Sequence, residues 1–181
     1  MADVSVRPAR SDDAAEIARI QVDTWRTGYR DLLPAPIVES LSAEAVQPAW
    51  TEAVEAPPSD QHHVFVAQEQ QWLVGFAAVG PVDSNEEGIT DAPHTAQIAP
   101  LLVEPRWGRR GHGSRLLAAA VDHARSEGFT RLITWVPAGD AASLSFYRSA
   151  GWDTDGFARV LDTGAGEMRE IRLHVALEPA A

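Results

Sequence analysis

Apolar positions in this chain alternate with polar ones near both ends and recur at helical spacing between. DVSVRPA, Asp3 to Ala9, has the period of a short strand. Ser11, Asp12 and Asp13 supply capping oxygens and negative charge for a helix over about Asp12 to Thr27, where Ile17, Ile20 and Trp25 fall near one face and Gly28 marks the end. From Leu32 to Trp50 the prolines Pro34, Pro36 and Pro48 predict a loop, one short helix and an irregular continuation. Glu55 to Asp60 reads as a surface linker. His63 to Gly80 holds two β-rich runs parted by Glu69 to Gln71, a hairpin, and Asp83 to Pro93 is a polar loop.

Thr95 to Val103 is the next strand. Pro100 inside it cannot donate to a ladder, which predicts an edge, a bulge or a diverging neighbour. After Gly113 the apolar set Leu116, Leu117, Ala120, Val121 and Ala124 marks one face of a helix ending at Gly128, and Phe129 to Val136 is a buried strand. Thr95 to Val136 is therefore a βαβ unit whose two strands run parallel. Asp140 to Ala150 reads as a helix stopped by Gly151, and Trp152 to Leu161 and Glu167 to Leu177 as two strands joined by DTGAG. The expected order is β-α-α-β-β-β-α-β-α-β-β, without internal repeats.

Composition narrows the function. The 181 residues, 45% hydrophobic, suit one domain with its own core. With no cysteine, disulfides, thiolate metal sites and cysteine nucleophiles are excluded, and the six histidines show no metal spacing. A net charge of -11 argues against sequence-independent nucleic-acid binding. No apolar run has the length of a signal peptide core or a bilayer span, so a soluble cytoplasmic protein is expected.

Against that acidic background Arg109, Arg110 and Arg115 cluster in LLVEPRWGRRGHGSRLL, Leu101 to Leu117, where a strand breaks into a glycine-rich turn and enters a helix. Glycines admit close backbone approach and a helix N-terminus leaves amides unpaired, so the turn is a candidate phosphate site. A P-loop needs a lysine, and the chain has none. A dinucleotide fingerprint needs glycine where Leu116 stands and an acid near Ile133 to Val136, which is also missing.

This string, followed by Ser143-Leu144-Ser145-Phe146-Tyr147-Arg148-Ser149-Ala150-Gly151-Trp152, resembles the GNAT superfamily of acyl-CoA-dependent N-acyltransferases. VRPARSDDAAEIARI and WRTGYRDLLP look like the N-terminal part of small members. The resemblance implies a mixed α/β fold: a central, mostly antiparallel sheet of about seven strands with one splayed parallel pair and about four helices. It implies acetyl-CoA as acyl donor, with pantetheine pairing to the backbone of Leu101, Leu102 and Val103 and pyrophosphate held by the amides from Arg109 through Arg110, Gly111, His112 and Gly113 to Ser114. Asp140 and Ser143 match positions along the CoA arm. Gly108 departs from the family pattern, which has Gln or Arg there, so one side-chain contact is missing.

Acyl transfer to an amine needs a group to protonate the departing thiolate and one to take the amine's proton. Tyr147 matches the family's general acid; the alternative is a core aromatic. Gln97 stands where many members carry a basic glutamate and cannot replace it, which leaves His94 as a candidate base or a plain loop histidine. Trp25 and Tyr29 would wall the acceptor pocket, or pack against the sheet. The expected activity is N-acetyl transfer to a small-molecule or peptide amine in a ternary complex, without metal, membrane or nucleic acid, and the resemblance leaves both a monomer and a homodimer open. The competing reading is a CoA-binding sensor without turnover.

Overall fold

The computed structural model describes residues 4–178. Asp3 of the expected first strand lies outside them. β1 (Val4–Pro8) is followed by a short 3-10 turn and α1 (Ala14–Gly28), α2 (Ala35–Ser40) and α3 (Ala43–Glu55). Then come β2 (His63–Glu69), β3 (Trp72–Pro81), β4 (Thr95–Val103), α4 (His112–Ser126), β5 (Arg131–Pro137), α5 (Ala141–Ser149), β6 (Asp153–Asp162) and β7 (Glu167–Ala176). All strands join one 7-stranded sheet in the order β1-β2-β3-β4-β5-β7-β6. Only the central β4–β5 pair is parallel; its neighbours on both sides are antiparallel.

The expected architecture is present, with one helix more than expected. Pro48 does not break the segment that holds it; it lies inside α3. A proline removes one helical hydrogen bond, but α3 lies on the surface, with no residue fully buried, so water can serve the freed carbonyl. Trp50, on the same helix, meets Phe76 edge to face at 4.9 Å and gives α3 an apolar anchor.

Strand alternation sorts the core onto two faces. Ile17 and Ile20 of α1 pack with Val64, Val66, Phe76 and Leu102 on one side. On the other, Leu117, Ala120 and Ala124 of α4 and Tyr147 of α5 pack with Ile98, Leu132 and Leu173. Glu104, buried just past β4, accepts from Arg19 of α1 at 3.1 Å and pairs with Arg106 at 2.9 Å, fixing where the chain leaves the sheet.

The β4–β5 seam positions everything functional. Its pairing runs from Thr95 with Arg131 to Ile98 with Thr134 and stops. Across from β3, Ile98 pairs with Val79 and Leu101 with Ala77, so β4 carries an extra residue at Ala99-Pro100. This is the bulge that Pro100 forecast. The Thr134 hydroxyl donates to the Ile98 carbonyl at 2.9 Å and closes the seam at the point of divergence. Beyond it, the β5-facing backbone of Ala99 to Val103 has no strand partner among the described residues.

Candidate active site

The gap beyond Ile98 and Thr134 opens into two cavities that meet. One, of about 390 Å³, runs along Leu101, Leu102 and Val103 to Gly111, Gly113 and Ser114 at the start of α4. The other, of about 490 Å³, lies on the α1 face, bounded by Trp25, Tyr29, Gln97, Trp135 and Glu170. Tyr29, Leu101, Leu102, Ser143 and Tyr147 belong to both, so the cavities join beside Tyr147.

The turn at the far end of the first cavity is shaped for an anion. Gly111 precedes α4 with φ of 82°, a conformation that suits glycine, and Arg109 takes φ of 62° without being one. The amides that follow open the helix and carry the positive end of its dipole toward the cavity. The arginines divide. Arg109 lines the cavity, whereas Arg110 turns away, donating to Glu69 at 2.9 Å and lying over Trp107 at 5.0 Å. Arg115 donates back to the Arg110 carbonyl at 3.2 Å. His112 is fully buried, with Nε2 at 2.8 Å from the other Glu69 oxygen. Side chains of Arg110 and His112 therefore brace the turn, and what these two residues can offer a ligand is their backbone.

Asp140 caps α5: Oδ1 accepts from the Ser143 amide at 3.0 Å and Oδ2 from its hydroxyl at 2.6 Å. Both residues lie in the first cavity, but their polar groups are spent on each other. One turn on, α5 points Tyr147 into the junction. Burial drives its hydroxyl pKa up; the neighbouring Thr134 hydroxyl acts against this, and the charge of Asp140 adds to it. Tyr147 is consequently a protonated phenol at any ordinary pH.

Trp25 and Tyr29, stacked with ring centroids 6.2 Å apart, wall the second cavity. The Tyr29 hydroxyl is also pushed up, first by burial and then by the charges of Asp140 and Glu170. The chain between α1 and α2, whose Leu33 lines this cavity, passes close to two glycines: a Cβ on Gly139 would clash with Leu32, and one on Gly166 with Pro34. His94 is not brought to the site. It sits exposed before β4, 2.7 Å from Asp91, and lines neither cavity.

Two residues that the sequence reading missed are in the second cavity. Glu170 of β7 is buried, and its Oε2 accepts from Arg159 Nε of β6 at 2.6 Å. The Arg159 guanidinium lies over Trp135, 4.3 Å from the ring centroid. Trp135 is held in turn by its indole N–H, which donates to Glu86 at 3.0 Å. The available signal was in register: in EMREIRLHV, Met168, Glu170 and Arg172 share one strand face, and charge at buried strand positions marks a site.

The structure thus brings together a parted parallel pair, a phosphate-type turn and a phenol where two cavities join, with room for an extended ligand and a second one. The sequence comparisons agree, and the chain belongs to the GNAT family of acetyltransferases, whose family model matches residues 17–152. It is 34% identical over 134 residues to YuaI, an uncharacterized N-acetyltransferase of Bacillus subtilis, covering 74% of this chain and 71% of that protein. Among solved structures it superposes on yncA from Salmonella typhimurium, determined with its cofactor acetyl-CoA, with TM-score 0.70 and 22% identity over 98% of this chain and 96% of that one. It also superposes on the PaiA N-acetyltransferase of Thermoplasma acidophilum in complex with coenzyme A, with TM-score 0.73 and 14% identity over 96% and 99% of the two chains.

Proposed function

We propose that this protein transfers the acetyl group of acetyl-CoA to a primary amine by direct attack in a ternary complex. The observation that carries the reading is the junction of the two cavities at Tyr147. A thioester lying in the β4–β5 gap, with its pyrophosphate at Gly111 to Ser114, meets an amine from the α1 side at that point and no other. The unpaired backbone of Leu101 to Val103 serves the pantetheine amides as an added strand would.

In the proposed reaction the amine nitrogen attacks the thioester carbonyl, the C–S bond breaks, and the sulfur leaves with the Tyr147 proton. A phenol whose pKa is raised by burial keeps that proton until the thiolate forms. The amine's own proton leaves on the acceptor side, where Glu170 is the carboxylate lining the cavity and His94 is too remote to act. With no cysteine in the chain, direct transfer is favoured over a thioester on the protein.

Tyr147→Phe tests the reading. It should lower kcat by about 100-fold, within the usual range for a general acid, while acetyl-CoA binds as before. In the wild type no alkaline loss of kcat from this phenol is expected below about pH 10. An unchanged rate for the variant would remove Tyr147 from the chemistry. Tight acetyl-CoA binding without CoA release for any amine would favour a sensor over an enzyme.

A further inference from the structure

The acceptor cavity is apolar apart from a few groups, and the two charged ones are bonded to each other: Arg159 and Glu170. Arg159 spends only Nε on Glu170. Its two terminal nitrogens make no hydrogen bond to the described residues. Its plane is fixed by the Trp135 ring at 4.3 Å, itself held by Glu86. Glu170, which lines the cavity, likewise uses Oε2 alone, and its Oε1 makes no hydrogen bond to the described residues.

A guanidinium that is oriented, partly desolvated and left with its outer fork unused is the protein's most specific receptor for a planar oxyanion. A lone carboxylate beside it offers a seat to an ammonium. We infer that the acceptor is an amino acid with an apolar side chain, its carboxylate held by the Arg159 fork, its amine next to Glu170 and its side chain among Trp25, Ile37 and Leu161. This rests on the N-acetyltransferase reading and names the substrate class for it. The charge pattern supports the assignment. A simple amine would add an unmatched positive charge and leave the fork, on a side chain 38% exposed, to water, whereas a zwitterion matches both charges and leaves the cavity neutral.

Matched acceptors test the inference: leucine against 3-methylbutylamine and phenylalanine against phenethylamine, which differ only by the carboxylate. Wild-type kcat/KM should favour each amino acid by about 30-fold or more, the value of a charge-assisted pair. Arg159→Met should abolish that preference, raising KM on the amino acid far more than on the matched amine, and Arg159→Lys, which keeps the charge but lacks the fork, should restore part of it. Equal use of both members of a pair, faster acetylation of polyamines or peptide N-termini, or a preference that survives Arg159→Met would overturn the inference. Should no amine turn over, the acetyltransferase reading fails, and calorimetric titration of the CoA-loaded protein still decides this one. Leucine bound by wild type and lost in Arg159→Met supports it; leucine bound no better than 3-methylbutylamine, or not at all, overturns it.

Discussion

Glu69 should hold the anion-binding turn in shape although it contributes nothing to the cavity itself. At the end of β2 it accepts from Arg110 at 2.9 Å with one oxygen and meets His112 at 2.8 Å with the other. The two bonds are unequal. The Arg110 side chain is 52% exposed, so losing its partner costs little in solvent. The His112 side chain is 0% exposed and its Nδ1 already lacks a partner. Glu69→Ala would strand the second nitrogen as well, an uncompensated buried polar group worth about 2 kcal/mol. For a protein of this size that corresponds to a fall in Tm of about 4 to 8 °C. Glu69→Gln keeps one acceptor and adds a donor, and should lose less than half as much. Because the Gly111 to Ser114 amides ride on the same turn, KM for acetyl-CoA should rise several-fold in the alanine variant with kcat little changed. Thermal unfolding of both variants beside steady-state kinetics makes the measurement. A Tm within a degree of wild type for Glu69→Ala, or equal losses for alanine and glutamine, would refute the reasoning.

Two further outcomes are expected. Gly111→Ala forces a side chain into φ of 82° and should cost about 1 kcal/mol of stability by thermal unfolding, with a higher KM for acetyl-CoA in steady-state kinetics. His63 has its pKa lowered from 6.5, first by burial and then by His123, with Glu127 opposing. The folded state therefore holds this proton less well than the unfolded state, and the His63 contribution is intact above about pH 6.5 and declines as pH falls through it. His63→Gln should flatten the dependence of Tm between pH 7 and pH 5, and an unaltered slope would contradict that origin.

How far the sequence spoke depended on whether a residue's task was local. Gly111 in a left-handed turn, the apolar face of α4 and the bulge at Pro100 are all dictated by nearby chain, and each stood in the pattern. Tyr147 was singled out only by the family resemblance of Phe146-Tyr147, and the structure places it where the two cavities join. Pro48 misled because a surface helix can forgo one hydrogen bond. The roles of Arg110 and His112 depended on Glu69, 41 and 43 residues earlier, and no local pattern ties them. Arg159 was hidden for the same reason, since it meets Glu170 only when β6 and β7 pair, whereas Glu170 was marked by the strand face it shares with Met168 and Arg172. His94 was proposed as a base from its place before β4, but strand direction sends it to the opposite end from the gap.

The short seam between β4 and β5 has a mechanical meaning. Four strands lie on one side of it and three on the other, and strand pairing crosses from Thr95 to Ile98, extended by one backbone bond from the Thr130 N–H to the His94 carbonyl. The sheet is two plates stitched along part of one edge, with α4 as the strap between them. On the proposed function, the donor that lies in the open part of the edge completes the stitching. Part of the protein's cohesion then comes from the molecule it consumes, and the fold is at its loosest in the interval between release of the spent carrier and arrival of the next one.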